Sequence, residues 1–243
     1  MNILTLLTGI AILSFSFTLH ANSSQDPSSS KIERETESVL QDIIKDNEKF
    51  AKTTPEQEFK VYKNTQKPRA TMILCSDSRV QVESFDVKPE NNVFVVRNIG
   101  NQLATALGSV EYGIEHLHTP VLFIVGHSGC GAIQAAYGDY SKESAAIQKE
   151  LNTLDIKSAP DLKQAVLLNV NQQVEAALQR FASNIKTKEL IIVGGVYDFR
   201  DDYHRGEGRF IITNLNGETD PQKIKNSPYF EKIKGGEFGV PKP

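Results

Sequence analysis

The chain has 243 residues, 39% of them hydrophobic and 23% charged, enough apolar material to bury the core of one large domain. Its formal net charge is -3 and no basic run is interleaved with aromatics, which excludes the electrostatic footprint of a nucleic-acid-binding protein.

The first charged side chain is Asp26, and Ile3 to Leu19 is apolar, broken only by Thr, Ser and Gly. Residues 1–21 therefore read as a secretory signal peptide cut after Ala21, although the segment before the apolar stretch lacks Lys and Arg. An uncleaved N-terminal anchor is the alternative reading of the same residues, and Gly9 together with the Ser and Thr residues speaks against it. A secreted or periplasmic product is the expectation, with residues 22–30 as a Ser-rich linker, residues 31–215 as the catalytic domain with a helical arm, and 216–243 as an irregular polar tail.

Ile32, Val39, Ile43 and Phe50 recur at helical spacing and predict an N-terminal helix. Ala70 to Leu74 and Val93 to Val96 are short apolar strands, and Leu103, Leu107, Val110, Ile114 and Leu117 mark one face of the helix that follows. Val121 to Val125 is a strand covered on both faces, since it carries no alternation. A short helix over Cys130 to Tyr137 and a long one over Leu162 to Phe181 precede the strand Leu190 to Val196. Phe210 to Leu215 is expected as the final, edge strand. This alternation predicts an α/β fold, an open and mainly parallel sheet flanked by helices, with right-handed crossovers and a site at the carboxyl ends of the strands.

Two motifs sit at those ends: Cys75-Ser76-Asp77-Ser78-Arg79 and His127-Ser128-Gly129-Cys130. Cys75, His127 and Cys130 supply three ligands for one Zn2+ and leave a fourth position for water or for Asp77, the signature of a catalytic rather than a structural zinc site. A salt bridge between Asp77 and Arg79 would keep the carboxylate ionised, able only to accept a hydrogen and so to orient a hydroxide on the metal. In an exported protein the two cysteines could instead form a disulfide, but that reading leaves His127 and the Asp77/Arg79 pair unexplained. His20, His116, His118 and His204 show no ligand spacing with the cysteines and read as surface residues. Arg97 and Asn98 end a strand, where a structural and a functional role are equally open.

The chain closely resembles the β-class carbonic anhydrases, a likeness carried by the first motif, by Phe94-Val95-Val96-Arg97-Asn98-Ile99-Gly100-Asn101, by Glu111-Tyr112-Gly113, by Gly126-His127-Ser128-Gly129-Cys130-Gly131 and by Gly194-Gly195-Val196-Tyr197-Asp198. The resemblance implies reversible hydration of CO2 to bicarbonate and a proton in a homodimer or an assembly of dimers. It assigns zinc to Cys75, His127 and Cys130, the catalytic dyad to Asp77 and Arg79, and the substrate pocket to Gln66, Phe94, Ile99, Tyr112 and Gly131, shared between two subunits. Alternatives on the same scaffold are a zinc-dependent hydrolase of CS2 or COS and a zinc-binding module without activity. One branch of the family is regulated by bicarbonate through Trp and Gly just before the first zinc-ligating Cys. Met72 and Leu74 stand there, so an unregulated, open site is expected even though Arg97 and Tyr197 match that branch. The charged stretch Phe199 to Arg209 is longer than in the family and reads as a solvated loop.

Overall fold

The structure, a computed structural model, describes residues 27–239, with side chains from residue 31. The signal-peptide reading therefore lies outside the described residues. The chain divides into two compact units, one ending at Phe59 and the other starting at Lys60.

In the first unit, α1 (Pro27–Thr53) begins inside the segment expected to be a linker, which corrects that boundary. Proline is well suited to a first turn, because its missing N–H would have no intrahelical partner there. Ile32, Val39, Leu40, Ile43, Ile44 and Phe50 recur along α1 and are exposed. A short α2 (Glu56–Lys60) follows, and Phe50 and Phe59 meet edge to face at 6.0 Å.

The second unit is built on β1 (Ala70–Cys75), β2 (Val93–Asn98), α3 (Leu107–Glu111), β3 (Val121–His127), α4 (Gly131–Tyr137), α5 (Ala145–Leu151), α6 (Leu162–Arg180), α7 (Ala182–Lys186), β4 (Ile191–Asp198), β5 (Arg209–Leu215), α8 (Pro221–Lys225) and β6 (Glu237–Phe238). The strands lie in the order β2-β1-β3-β4-β5-β6, parallel throughout except for the β4–β5 pair. Every residue of β1 is buried, as its unalternating apolar sequence requires.

Asp161 starts α6 by accepting the Gln164 N–H at 2.8 Å, and the helix then buries Ala165, Val166, Val170, Val174 and Ala177 against β3 and β4. That approach needs glycine beneath it. A Cβ on Gly126 would stand 2.7 Å from Val170 Cγ2, and one on Gly194 2.8 Å from Val174 Cγ2.

Three expectations are revised. The helix marked by Leu103 to Leu117 starts only at Leu107 and passes at Tyr112 into a π-helical turn, Tyr112–His116, which the periodicity of its apolar residues does not distinguish from α. The tail after Asn216 is not irregular: Asp220 caps α8 with Pro221 at its start, and β6 pairs with β5, so β5 is not the edge. Phe238 anchors this addition by packing on Phe230 at 5.3 Å.

Candidate metal centre

Cys75 is the last residue of β1 and His127 the last of the neighbouring β3, where Leu74 pairs with Val125. The sheet register alone thus brings a thiol and an imidazole to one edge. Cys130 returns to them through the turn Ser128-Gly129, with Gly129 at φ +62°, and caps α4, which starts at Gly131 rather than at Cys130. One ligand atom from each of the three residues lies within 4.8 Å of the others, and all three residues are buried.

The two Sγ atoms are 4.0 Å apart and the cysteines are free. A disulfide holds its sulfurs at about 2.05 Å, whereas two thiolates at about 2.3 Å from a tetrahedral ion stand roughly 3.8 Å apart. His127 Nδ1 lies 3.0 Å from Ser128 O, a carbonyl that can only accept, so Nδ1 carries the hydrogen and Nε2 the lone pair. That Nε2 is buried without a hydrogen-bond partner. Leaving it so costs about 1–3 kcal/mol, a penalty that a cation between it and the sulfurs removes. The donor set fits a metal ion.

The thiols are poised for it. Cys75 is pulled down to about 4, first by the hydrogen bond from Cys130 and then, against the cost of burial, by the amides of Gly100 and Asp77. Cys130 is pushed up by the same shared hydrogen bond and by burial. A metal bound by both sulfurs would displace the hydrogen they share.

Beside the ligands, Arg79 grips Asp77 with Nε on Oδ1 at 2.9 Å and Nη2 on Oδ2 at 2.7 Å, while the Arg79 amide donates to Oδ1 at 3.0 Å. Nη2 also donates to Gly129 O at 3.1 Å. These bonds, the side-chain one foremost, hold the Asp77 carboxyl down at about 2. Asp77 Oδ2 lies 3.9 Å from His127 Nε2, so the ionised carboxylate faces the orphaned nitrogen.

The stretch read as a solvated loop is partly buried against this centre. Phe199 stacks on His127 at 6.0 Å and lies under the Arg79 guanidinium at 4.8 Å. The fully buried Asp198 carboxylate accepts the amides of Tyr203, Asp202 and Arg200 at 2.9, 3.0 and 3.3 Å. The Arg200 side chain covers Gly129, where a Cβ would stand 2.6 Å from Nη1. Sequence reasoning missed these roles, and the only local signal was Tyr197-Asp198 at the end of an apolar strand.

The other candidate residues divide. Ile99 packs on the buried cluster that contains Cys75 and Cys130, and the space at the Gly131 Cα is open. Phe94 is in register with Thr71, four positions before the Cys75–Asn98 pair, so it lies roughly 13 Å back along the strand. It contacts Tyr112 at 5.8 Å, and Tyr112, His116, His118, His204 and Gln66 are all exposed. One chain does not bring Phe94 and Tyr112 to its own metal ligands. Arg97 donates through Nη1 to Cys75 O at 3.0 Å and Val80 O at 2.7 Å, a structural role that fixes the end of β1. The Tyr197 hydroxyl accepts from Ser84 at 3.2 Å.

A cavity of about 320 Å³ adjoins Cys130 and is lined by Ser128, Lys163, Arg200 and Tyr203. A larger groove of about 800 Å³ lies at the opposite end of the sheet, around Ala70, Val93 and Val121, and includes none of the ligands.

The fold is a mainly parallel sheet that carries Cys, His and Cys, a set able to hold a metal ion, at its strand ends beside an Asp–Arg pair. Residues 70–204 match the family model described as carbonic anhydrase, and the chain belongs to that family, in its β class. Carbonic anhydrase 2 of Mycobacterium tuberculosis is 42% identical over 72 residues, which are 29% of this chain and 35% of that protein. The match thus spans about a third of the length of the curated relative. The β-carbonic anhydrase CcaA superposes with a TM-score of 0.62 at 20% identity, covering 73% of this chain and 88% of the other. A tetrameric β-carbonic anhydrase from Sordaria macrospora does so with a TM-score of 0.59 at 20% identity, covering 74% and 96%. These superpositions show the fold.

Proposed function

We propose that the chain hydrates CO2 reversibly to bicarbonate and a proton, with Cys75, His127 and Cys130 as ligands of zinc. The observation that carries the reading is the partnerless, buried Nε2 of His127, 3.9 Å from an ionised carboxylate, on a ring that brings a ligand atom within 4.8 Å of two sulfurs. When bound, zinc brings the pKa of a water from about 15.7 to about 7 and so supplies hydroxide at neutral pH.

Asp77 is the orienting group. Kept ionised by Arg79, it can only accept, so a hydroxyl facing it must give it the hydrogen and turn a lone pair toward CO2. Arg79 stays on the carboxylate and balances its charge. Ile99 and the open space at Gly131 supply one apolar wall. Phe94 and Tyr112 complete the pocket from a second subunit, because their own chain does not carry them to its ligands, and Gln66 joins them by the family resemblance. A homodimer, or an assembly of dimers, is therefore the proposed working unit. A tetrameric relative of the same fold supports that assembly.

Export through residues 1–21 remains part of the proposal and rests on the apolar run Ile3 to Leu19. Among the described residues, no helix is long and apolar enough to cross a membrane. Stopped-flow CO2 hydration by the zinc-loaded protein tests the activity, with CS2 and COS hydrolysis measured alongside. Turnover of the sulfur compounds without CO2 hydration would transfer the site to the hydrolase reading.

A further inference from the structure

We propose that Phe199 is a positioning residue: its ring holds Arg79 on Asp77 and so keeps the Asp77 carboxylate off the fourth position of the metal. The inference rests on the metal reading above and adds what decides whether that position is open.

The Arg79 side chain is 51% exposed, so water screens its fork on Asp77, and the contacts that order the guanidinium decide how firmly it holds. Two contacts do so here. Nη2 is tied to Gly129 O, and the guanidinium lies over the Phe199 ring at 4.8 Å, within the range of an attractive cation–π contact. Asp77 Oδ2 is already 3.9 Å from His127 Nε2, so a carboxylate released by Arg79 needs only a small turn to reach an ion held by that nitrogen and the two sulfurs.

Phe199 is itself fixed from both sides in sequence. Behind it, the buried Asp198 carboxylate gathers the amides of Arg200, Asp202 and Tyr203. Ahead of it, the Arg200 amide donates to Ser128 Oγ at 3.3 Å, and the Tyr203 hydroxyl donates to Lys163 O at 3.0 Å on α6. The ring is thus tied to the loop that carries His127 and Cys130, and it stacks on His127 while supporting Arg79. A solvated loop would need neither the buried carboxylate nor the aromatic face.

The test compares wild type, Phe199→Ala, Phe199→Leu and Phe199→Tyr after replacing the metal by cobalt(II). Thiolate-to-cobalt charge-transfer absorption reports the sulfur ligands, and azide titration of the visible d–d bands reports access to the fourth position. The expected result is that all four proteins keep the charge-transfer bands. Azide affinity and kcat/KM should fall about tenfold in Phe199→Ala and Phe199→Leu, and Phe199→Tyr should recover most of both. Equal azide affinity in wild type and Phe199→Ala, or full recovery by Leu, would overturn the role of the ring face. A wild type without charge-transfer bands would remove the metal reading, and this inference with it.

Discussion

Arg79 meets Asp77 as a fork, Nε on Oδ1 at 2.9 Å and Nη2 on Oδ2 at 2.7 Å, while the same Oδ2 stands 3.9 Å from His127 Nε2. One carboxylate thus faces a guanidinium on one side and the proposed ligand His127 on the other. Asp77→Asn should keep zinc but lower CO2 hydration by about a hundredfold or more, because an amide can donate as well as accept. The loss should appear equally in kcat and kcat/KM, and unchanged rates at neutral pH would remove the dyad from the mechanism.

The fork also sets an acid limit on stability. Asp77 titrates at about 2 in the fold, below the usual value near 4, so its contribution is fully present above about pH 4 and is lost as the pH falls toward 2. In the metal-free protein, the Tm difference between wild type and Asp77→Asn should be constant above pH 5 and vanish toward pH 2. A difference that grows on acidification would contradict the assignment.

Cys130→Ser should lose zinc as well as activity, since a neutral hydroxyl is a poor substitute for a thiolate. Atomic absorption after dialysis measures it. One retained zinc per chain with normal turnover would contradict the ligand set.

Much of this centre was legible in the sequence because its determinants are local. Ala70 to Leu74 and Val121 to Val125 are continuous apolar runs, so their strands and buried ends could be placed, and a parallel pair must bring Cys75 and His127 to one edge. What could not be read depends on contacts distant in sequence. Phe199 matters because residues 79 and 127 fold onto it, and Asp198 because amides further along the chain turn back to it. The π-helical turn at Tyr112 shares its apolar spacing with an α-helix, and β6, only two residues long, forms because β5 offers it a partner.

The close approach of α6 to the sheet predicts a cost at a residue with no chemical role. Gly126→Ala places a Cβ 2.7 Å from Val170 Cγ2 and 3.1 Å from Val166 Cγ1, so the helix must shift. Urea unfolding should show a loss of about 1–3 kcal/mol, the usual range for overpacking a tight core. Wild-type stability would mean that α6 yields freely.

Arg97 and Tyr197 bear on regulation. Arg97 Nη1 is held by the carbonyls of Cys75 and Val80 and the Tyr197 hydroxyl accepts from Ser84, while Met72 and Leu74 stand where the regulated branch has Trp and Gly. Activity should change smoothly between pH 7 and 8 with one apparent pKa, without a cooperative loss, and crystals grown with bicarbonate should keep the Asp77–Arg79 pair intact. Bicarbonate held by Arg97 and Tyr197, with Asp77 on the metal, would place the protein in the regulated branch.

The most direct measurement is stopped-flow CO2 hydration on one preparation in three states: as purified, stripped of metal by a chelator, and reconstituted with one equivalent of zinc per chain. Activity should be lost on stripping and return in proportion to zinc bound, together with a thiol titre that falls by two per chain as zinc is taken up. Full CO2 hydration by the stripped protein, or none after one zinc per chain has been restored, would contradict the account.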